Sequence, residues 1–364
     1  MYIHERKEWP EFVWDQAKLA NLLAEVRHLQ GRLLGRMEGL GFQLREEATL
    51  QTLTRDVVKT SAIEGEKLNE RQVRSSLARR MGLDIGALPN TDRNVEGIVA
   101  VILDATRNHD APLTTERMFS WHAALFPTGR SGMRRIVVGA WRTKESGEMQ
   151  IVSGPIGREI IHYEAPAHDV LDKEMNRFIQ WCNTAQDIDP VLKSALAHFW
   201  FVTIHPFEDG NGRIARAIAD MLLARSERSS QRFYSMSSQI QRERSNYYVV
   251  LEDCQKGTLD ITRWIDWYLN CQQRALQASE GILATVLAKA EFWRTHADNS
   301  FNERQRLVLN RLLDGFKGKL TSSKWAKVSK CSQDTALRDI HDLLDRKVLA
   351  KDQAGGRSTS YTLV

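Results

Sequence analysis

Cysteine is scarce in this chain. There are four in 364 residues, Cys182, Cys254, Cys271 and Cys331, widely spaced and with no C-x-x-C pair. That spacing excludes the usual zinc-ligand patterns and a disulfide framework, and it suits a reducing cytoplasm. Long apolar runs are missing as well. No stretch approaches the roughly 20 apolar residues that span a bilayer, so no membrane partner is expected. Met1-Tyr2-Ile3-His4 lacks a basic segment leading into an apolar one, so no secretory leader is read there. Net charge is nearly absent from most of the sequence. Residues 301–364 hold 13 Lys/Arg against 7 Asp/Glu, whereas the rest holds 38 against 39, so the overall +5 belongs to the C-terminal segment. This separation predicts a different partner for the C-terminus.

What is present centres on His205 to Arg216, H-P-F-E-D-G-N-G-R-I-A-R. An apolar helical stretch, 191–204, precedes it. Ile214, Ile218, Met221 and Leu222 put a second apolar face after it. A polar loop is thus expected between two buried helices. Gly210-Asn211-Gly212 is free to adopt positive φ and turn N–H groups toward an anion. It opens into a helix N-terminus, which favours the same charge. Arg213 and Arg216, three apart, share one face of the first turn. Paired guanidinium groups beside an anion nest point to a polyphosphate. Asp209 offers a hard oxygen to Mg²⁺. His205 titrates near neutrality and suits proton removal from a hydroxyl. Together these parts read as a nucleotide-using transferase site.

The twelve residues resemble the motif of the Fic family, H-x-F-x-[DE]-G-N-G-R-x-x-R, at every defined position. The resemblance implies a mainly helical fold and transfer of AMP from ATP to a protein hydroxyl. His205 is then the general base, and Asp209 carries Mg²⁺ at the α- and β-phosphates. Gly210, Asn211 and Gly212 form the anion hole. Arg213 holds the β/γ-phosphates, Arg216 holds the γ-phosphate, and Phe207 anchors the loop in the core. Phosphorylating relatives typically carry Lys at the second motif glycine, so Gly212 favours nucleotidyl transfer. Asn211 and the neighbouring N–H groups are expected to stabilise charge on the α-phosphate.

Upstream, Leu19 to Leu33 repeats at helical spacing, and Gly39-Leu40-Gly41 interrupts it. A second helix is expected from about Glu46 through Val58. Thr60-Ser61-Ala62-Ile63-Glu64-Gly65 follows. Read alone, Ser61-x-x-Glu64 is a capping box and Gly65 a helix stop. Many Fic proteins, however, carry an inhibitory helix with the pattern [ST]-x-x-x-E-[GN], which Thr60, Glu64 and Gly65 fit. The resemblance implies that Glu64 pairs with Arg216 and misplaces the γ-phosphate. Helices are expected over Asn94–Thr106 and from Thr114, with His122 as a packed or capping histidine. Residues 136–166 form the one convincing β segment, a hairpin turning at Gly154-Pro155-Ile156-Gly157. Its Fic equivalent is a flap that holds the target by strand-like pairing, which makes Ile161, His162 and Tyr163 candidate target contacts. Tyr248 and Gln255 resemble an adenine pocket, although Gln255 stands where Asn is common.

The last 64 residues read as three helices and a hairpin around Gly355-Gly356, which resembles a winged helix-turn-helix. Basic charge suits DNA phosphates, while Asp334, Asp339, Asp342 and Asp345 on the presumed recognition helix oppose them. Gln333 and Arg338 are its candidate contacts, and such modules also bind protein. The expected architecture is an all-α Fic core with a β-hairpin flap and a C-terminal winged helix-turn-helix. Its parts are an N-terminal helical region with the inhibitory motif (1–90), the catalytic core (91–270), a linker helix (271–300) and the winged helix (301–364). The expected function is protein adenylyltransfer from MgATP to a Ser, Thr or Tyr hydroxyl, autoinhibited by Glu64, with targets that include the chain itself. A cytoplasmic homo-oligomer is the expected assembly. Two other classes remain: a DNA-binding regulator that uses the core as a nucleotide sensor, and AMP removal with Glu64 positioning water.

Overall fold

A computed structural model describes residues 1–83, 91–154, 158, 160–185, 187–313, 315–316, 318–352 and 359–364. The chain divides into two compact units, Met1–Glu280 and Gly281–Val364. The first is mainly helical. Its helices are α1 (Gln16–Glu38), α2 (Phe42–Ile63), α3 (Glu70–Met81), α4 (Arg93–Arg107), α5 (Thr115–Leu125), α6 (Leu171–Asn183), α7 (Pro190–Ile204), α8 (Asn211–Glu227), α9 (Met236–Arg242) and α10 (Arg244–Gln255). The long helix α11 (Thr262–Thr295) begins in the first unit and crosses the boundary into the second. Two small antiparallel pairs interrupt the helices: β1 (Arg130–Ser131) with β2 (Arg134–Arg135), and β3 (Gln150–Ser153) with β4 (Ile160–Glu164). No helix among the described residues is long and apolar enough to cross a membrane.

Helix α7 is the centre of the first unit. Asp189 caps it by accepting from the Val191 N–H at 2.8 Å, and Pro190 starts it, where a missing N–H costs nothing. Its residues are apolar on every side, so it is buried all round, and α8 packs against it. Phe199, Phe201 and Ile204 are fully buried. The Trp264 indole N–H of α11 donates to the Ala195 carbonyl at 2.8 Å.

Several expectations change here. Helix α2 runs past Val58 to Ile63, so Ser61 lies in its last turn and caps nothing. Gly65, at φ 87°, is the stop. Residues 130–135, upstream of the expected β segment, form the β1–β2 pair, because Gly129 and Gly132 take positive φ on either side of β1. Among the described residues of 136–166 the strands are β3 and β4, in register Gln150↔Glu164, Ile151↔Tyr163, Val152↔Ile161 and Ser153↔Ile160, with a bulge between Ile151 and Val152. The turn expected at Gly154–Gly157 lies mostly outside the described residues, as do Gly355 and Gly356.

In the second unit, α12 (Glu303–Leu313), α13 (Ser322–Ser329) and α14 (Gln333–Asp345) precede the antiparallel pair β5 (Leu349–Lys351) and β6 (Tyr361–Leu363). Thr321 and Ser332 cap α13 and α14 through their side chains. Trp325, Val308, Ile340 and Leu343 form its core.

Helix α4 approaches α5 closely at Gly97, where a Cβ would lie 1.8 Å from the Ala124 carbonyl oxygen. That neighbour is backbone and cannot turn aside. Gly97→Ala is therefore expected to destabilise the first unit by about 3 kcal/mol, read as a lower urea midpoint. An unchanged midpoint would contradict this crossing.

Candidate functional site

The site forms where α7 ends and α8 begins. His205 closes α7 in the left-handed region, φ 50° and ψ 58°, a conformation costly for a residue with a Cβ. Gly210, φ 82°, makes the second left-handed step before α8. A Cβ at Gly210 would lie 2.8 Å from a Phe126 ring carbon, so only glycine fits there. Between these points the polar loop crosses an apolar interior, and its backbone groups need partners. Asn211 supplies two of them. Its Oδ1 accepts from the Phe207 N–H at 2.9 Å, and its Nδ2 donates to the Phe207 carbonyl at 2.8 Å. The Asn211 amide therefore staples the loop. Phe207 is fully buried and stacks on the His122 ring at 4.2 Å.

His122 is a structural partner of the loop. Its Nδ1 accepts from the Gly139 N–H at 3.2 Å, which leaves Nε2–H to donate to the Asp209 carbonyl at 3.1 Å. Burial pushes its pKa down to about 4. His205 Nδ1 donates to the Val202 carbonyl at 3.2 Å, so its Nε2 carries the free lone pair. Burial, helped by the Arg142 charge, pushes His205 down to about 4. At neutral pH it is an uncharged imidazole able to accept a proton.

Asp209 lies at the mouth of the loop. Its Oδ1 accepts from the Gly210 N–H at 2.6 Å, and its Oδ2 accepts from the Ser131 hydroxyl on β1. No cluster of three potential metal-ligating side chains is found among the described residues. One carboxylate is nonetheless enough for Mg²⁺ when phosphates complete the shell, so the donor set fits that ion.

The two motif arginines are almost fully buried, Arg213 at 3% exposed and Arg216 at 2%. The end of α2 supplies their anions. Arg216 donates to Glu64 Oε1 at 2.6 Å, to the Thr60 hydroxyl at 2.7 Å and to the Thr60 carbonyl at 3.0 Å. Arg213 donates from one nitrogen to both Glu66 oxygens, at 3.1 and 3.0 Å, and its guanidinium lies 4.9 Å from the Phe126 ring centre. Two donors remain without partners among the described residues, Arg213 Nε and Arg216 Nη1. The helix cap explains how two acids reach two arginines. The Gly65 N–H bonds the Ala62 carbonyl and the Glu66 N–H bonds the Ser61 carbonyl, the paired bonds of a Schellman turn. Gly212 makes room for this, because a Cβ there would lie 2.2 Å from Glu64 Oε1.

The other candidates separate. Tyr163 is not a target contact. It is buried, its hydroxyl donates to the Thr203 carbonyl at 2.8 Å, and it receives His4 Nδ1 at 3.0 Å, because β4 turns this residue inward. His162 is half-buried, with Nδ1 2.7 Å from Glu252 and Nε2 2.6 Å from Ser153. Ile161 is exposed. Tyr248 is 39% exposed, whereas Gln255 is buried with Nε2 3.3 Å from the Thr203 hydroxyl. Sequence reasoning missed Glu66, Ser131, His122 as a loop partner, and Arg142, whose Nε donates to the His205 carbonyl at 3.0 Å. Only Glu66 had a readable signal, an acid directly after the glycine stop.

Residues 112–223 match the family described as Fic/DOC family, and residues 2–83 match one described as a domain of unknown function, DUF4172. The protein adenylyltransferase Fic of Culex quinquefasciatus is 28% identical over 236 residues, covering 64% of this chain and 41% of that protein. That of Nematostella vectensis is 34% identical over 115 residues, 31% of this chain and 25% of the other. The chain thus matches less than half the length of these curated relatives. Among solved structures, a Fic family protein from Desulfovibrio desulfuricans G20 aligns over 98% of both chains, with TM-score 0.53 and 20% identity. A Fic domain containing signaling protein from Bacteroides thetaiotaomicron covers 71% of this chain and 98% of its own, with TM-score 0.53 and 18% identity. These structures share the fold.

Two buried histidines, His122 and His198, and the partly buried His205 set an acid limit. Burial lowers His122 and His205 to about 4 and His198 to about 3. Their unfolded values lie near 6.5. Between about pH 4 and 6.5 the unfolded chain binds more protons, so stability falls as pH drops through that window. His198 alone is expected to cost about 2 kcal/mol between pH 7 and pH 5. His198→Gln should reduce that loss, measured by urea unfolding at both pH values. An identical pH slope in the variant would refute it.

Proposed function

The chain belongs to the Fic/DOC family, and from that premise we propose that it transfers AMP from MgATP to a Ser, Thr or Tyr hydroxyl of a protein and is held inactive by Glu64. The observation that carries this reading is the pair of buried arginines at the start of α8, each with an unpartnered donor and each held by a carboxylate from the end of α2. Two buried guanidinium groups at a helix N-terminus are suited to a triphosphate.

In the proposed reaction the target oxygen attacks the α-phosphorus, the bond to pyrophosphate breaks, and the hydroxyl proton passes to His205 Nε2. The neutral state and fixed tautomer of His205 support that role. Asp209 would hold Mg²⁺, which supplies positive charge against the leaving pyrophosphate. Arg213 and Arg216 bind the terminal phosphates. The anion hole for the α-phosphate is assigned to the turn Gly210 to Gly212, with the Asn211 and Gly212 N–H groups as donors, since the Gly210 N–H is held by Asp209. The β3–β4 pair serves as the flap over the target segment, with Ile161 as its exposed apolar contact.

In the inactive state Glu64 occupies the place of the γ-phosphate on Arg216. Glu66 does the same on Arg213, where the β/γ-phosphates belong. Release of α2's end exchanges both carboxylates for phosphates.

A second reading concerns residues 301–364 as a DNA-binding winged helix. The acids of α14 oppose DNA less than their number suggests. Asp339 accepts from Arg304 at 2.8 and 3.0 Å and from Asn302 at 2.9 Å, and Asp342 accepts from Gln305 at 2.7 Å and from Arg346 at 2.9 Å. Arg338 stays exposed on the same helix. Salt-dependent gel retardation, lost in Arg338→Ala, is expected. No retardation at low salt would exclude it.

For the transferase, radiolabelled ATP and intact-mass spectrometry provide the test. Glu64→Gly should raise AMP incorporation at least about tenfold, and adding Glu66→Gln should lower KM for ATP by about threefold more, as befits a half-exposed ion pair. His205→Ala should abolish incorporation while ATP still binds. Undiminished labelling by that variant would overturn the assignment.

A further inference from the structure

Arg142 is a buried cation that the proposed reaction does not yet use. It is 3% exposed. Its hydrogen-bond partners among the described residues are backbone carbonyls. Nε donates to the His205 carbonyl at 3.0 Å, an Nη donates to the Pro166 carbonyl, and its own N–H donates to the Pro206 carbonyl at 2.9 Å. No carboxylate lies within ion-pair distance of it among the described residues. Burial pushes the neighbouring Tyr163 phenol well above its usual range, so that group carries no charge to offset the guanidinium. Burial also lowers Arg142, to about 10, which leaves it charged at neutral pH.

An uncompensated buried charge is expensive, and carbonyl dipoles alone hold this one. The guanidinium's acceptors are the His205 and Pro166 carbonyls, while the Pro206 carbonyl takes the Arg142 backbone N–H. His205 and Pro206 form the left-handed turn that ends α7, and a cation there also answers the helix's C-terminal carbonyls. Pro166 follows β4, so the same side chain ties the base of the β3–β4 pair to the loop.

The geometry points to Arg142 as a positioning residue for His205, clamping the strained turn that carries the imidazole and fixing a buried cation on that turn's carbonyl. This rests on His205 acting as the base in AMP transfer. The charged groups around the imidazole come from three directions. Glu64 at the end of α2 and Asp209 in the loop favour its protonated form, and so does the Val202 carbonyl on α7. Arg142 is the cation that opposes them. Burial is the larger cause of the lowered His205 pKa, and Arg142 adds to it, so without the guanidinium the ring should titrate nearer its ordinary value.

The test uses the full chain carrying Glu64→Gly, with Arg142→Gln and Arg142→Lys added separately. In the Gln variant we expect kcat to fall about tenfold or more, KM for ATP to stay within about twofold, and the acid limb of the pH–rate profile to rise by about one unit. In the Lys variant, which keeps the charge, the acid limb should stay in place while kcat falls less. NMR titration of His205 in the same proteins reads the shift without requiring turnover. If Glu64→Gly yields no adduct, the AMP-transfer reading fails, while the His205 titration still decides the role of Arg142. An unmoved His205 titration in the Gln variant would overturn the proposal. So would a shift of equal size in both variants, or a raised KM with unchanged kcat. Should the Gln variant not fold, the Lys variant decides: lost kcat at unchanged KM with the acid limb in place supports the role, and a shifted acid limb refutes it.

Discussion

Two positive charges inside a helical core impose the condition that the rest of this structure meets. Arg213 and Arg216 lie on the first turn of α8, nearly sealed from water. A buried charge without a partner costs several kcal/mol, so the site requires anions in every state. Here Glu64 and Glu66 provide them. These acids are nearer the solvent than the cations they hold: the side chains of Glu64 and Glu66 are 28% and 46% exposed, against 2% and 4% for Arg216 and Arg213. The anions are therefore the exchangeable partners.

The same helix is firmly held below its end. Asp56 on α2 accepts from the Ser235 hydroxyl at 2.5 Å, at the start of α9, and α2 packs along α9. A well-anchored helix that ends in a glycine-stopped cap can deliver two acids by local geometry alone. The loop opposite is built with comparable rigidity. Asn211, His122 and Arg142 each take a loop backbone group, and Phe207 fills the space beneath. Polar backbone within an apolar interior leaves little alternative. These side chains keep His205 in a conformation that the backbone alone disfavours.

The second unit follows a different electrostatic plan. On α14, Asp339 is largely buried against Arg304, Asn302 and the Gln305 side chain, and Asp342 is paired with Arg346, while Asp334 and Asp345 stay exposed. Exposed Lys324, Lys327, Lys330 and Arg338 are thus less opposed than the sequence suggests. Charge counted along a chain and charge presented at a surface are separate quantities.

Much of this protein was written in the order of its residues. Apolar periodicity placed most helices, because a buried face repeats every three or four positions. The twelve residues from His205 are contiguous, so their nest, arginine spacing and acid could be read without a fold, and the family followed from them. The pattern Thr60, Glu64, Gly65 was legible for the same reason. What only the tertiary structure decided was the partnership between distant segments. Glu66 on Arg213, Ser131 on Asp209 and Arg142 on the His205 carbonyl join residues far apart in sequence. Side-chain direction was also undecided. The Asn211 amide folds back onto its loop, and Tyr163 turns inward. Local sequence specifies which groups are available within one turn or one strand. Packing across the chain determines which way each group faces and which opposite charge it meets.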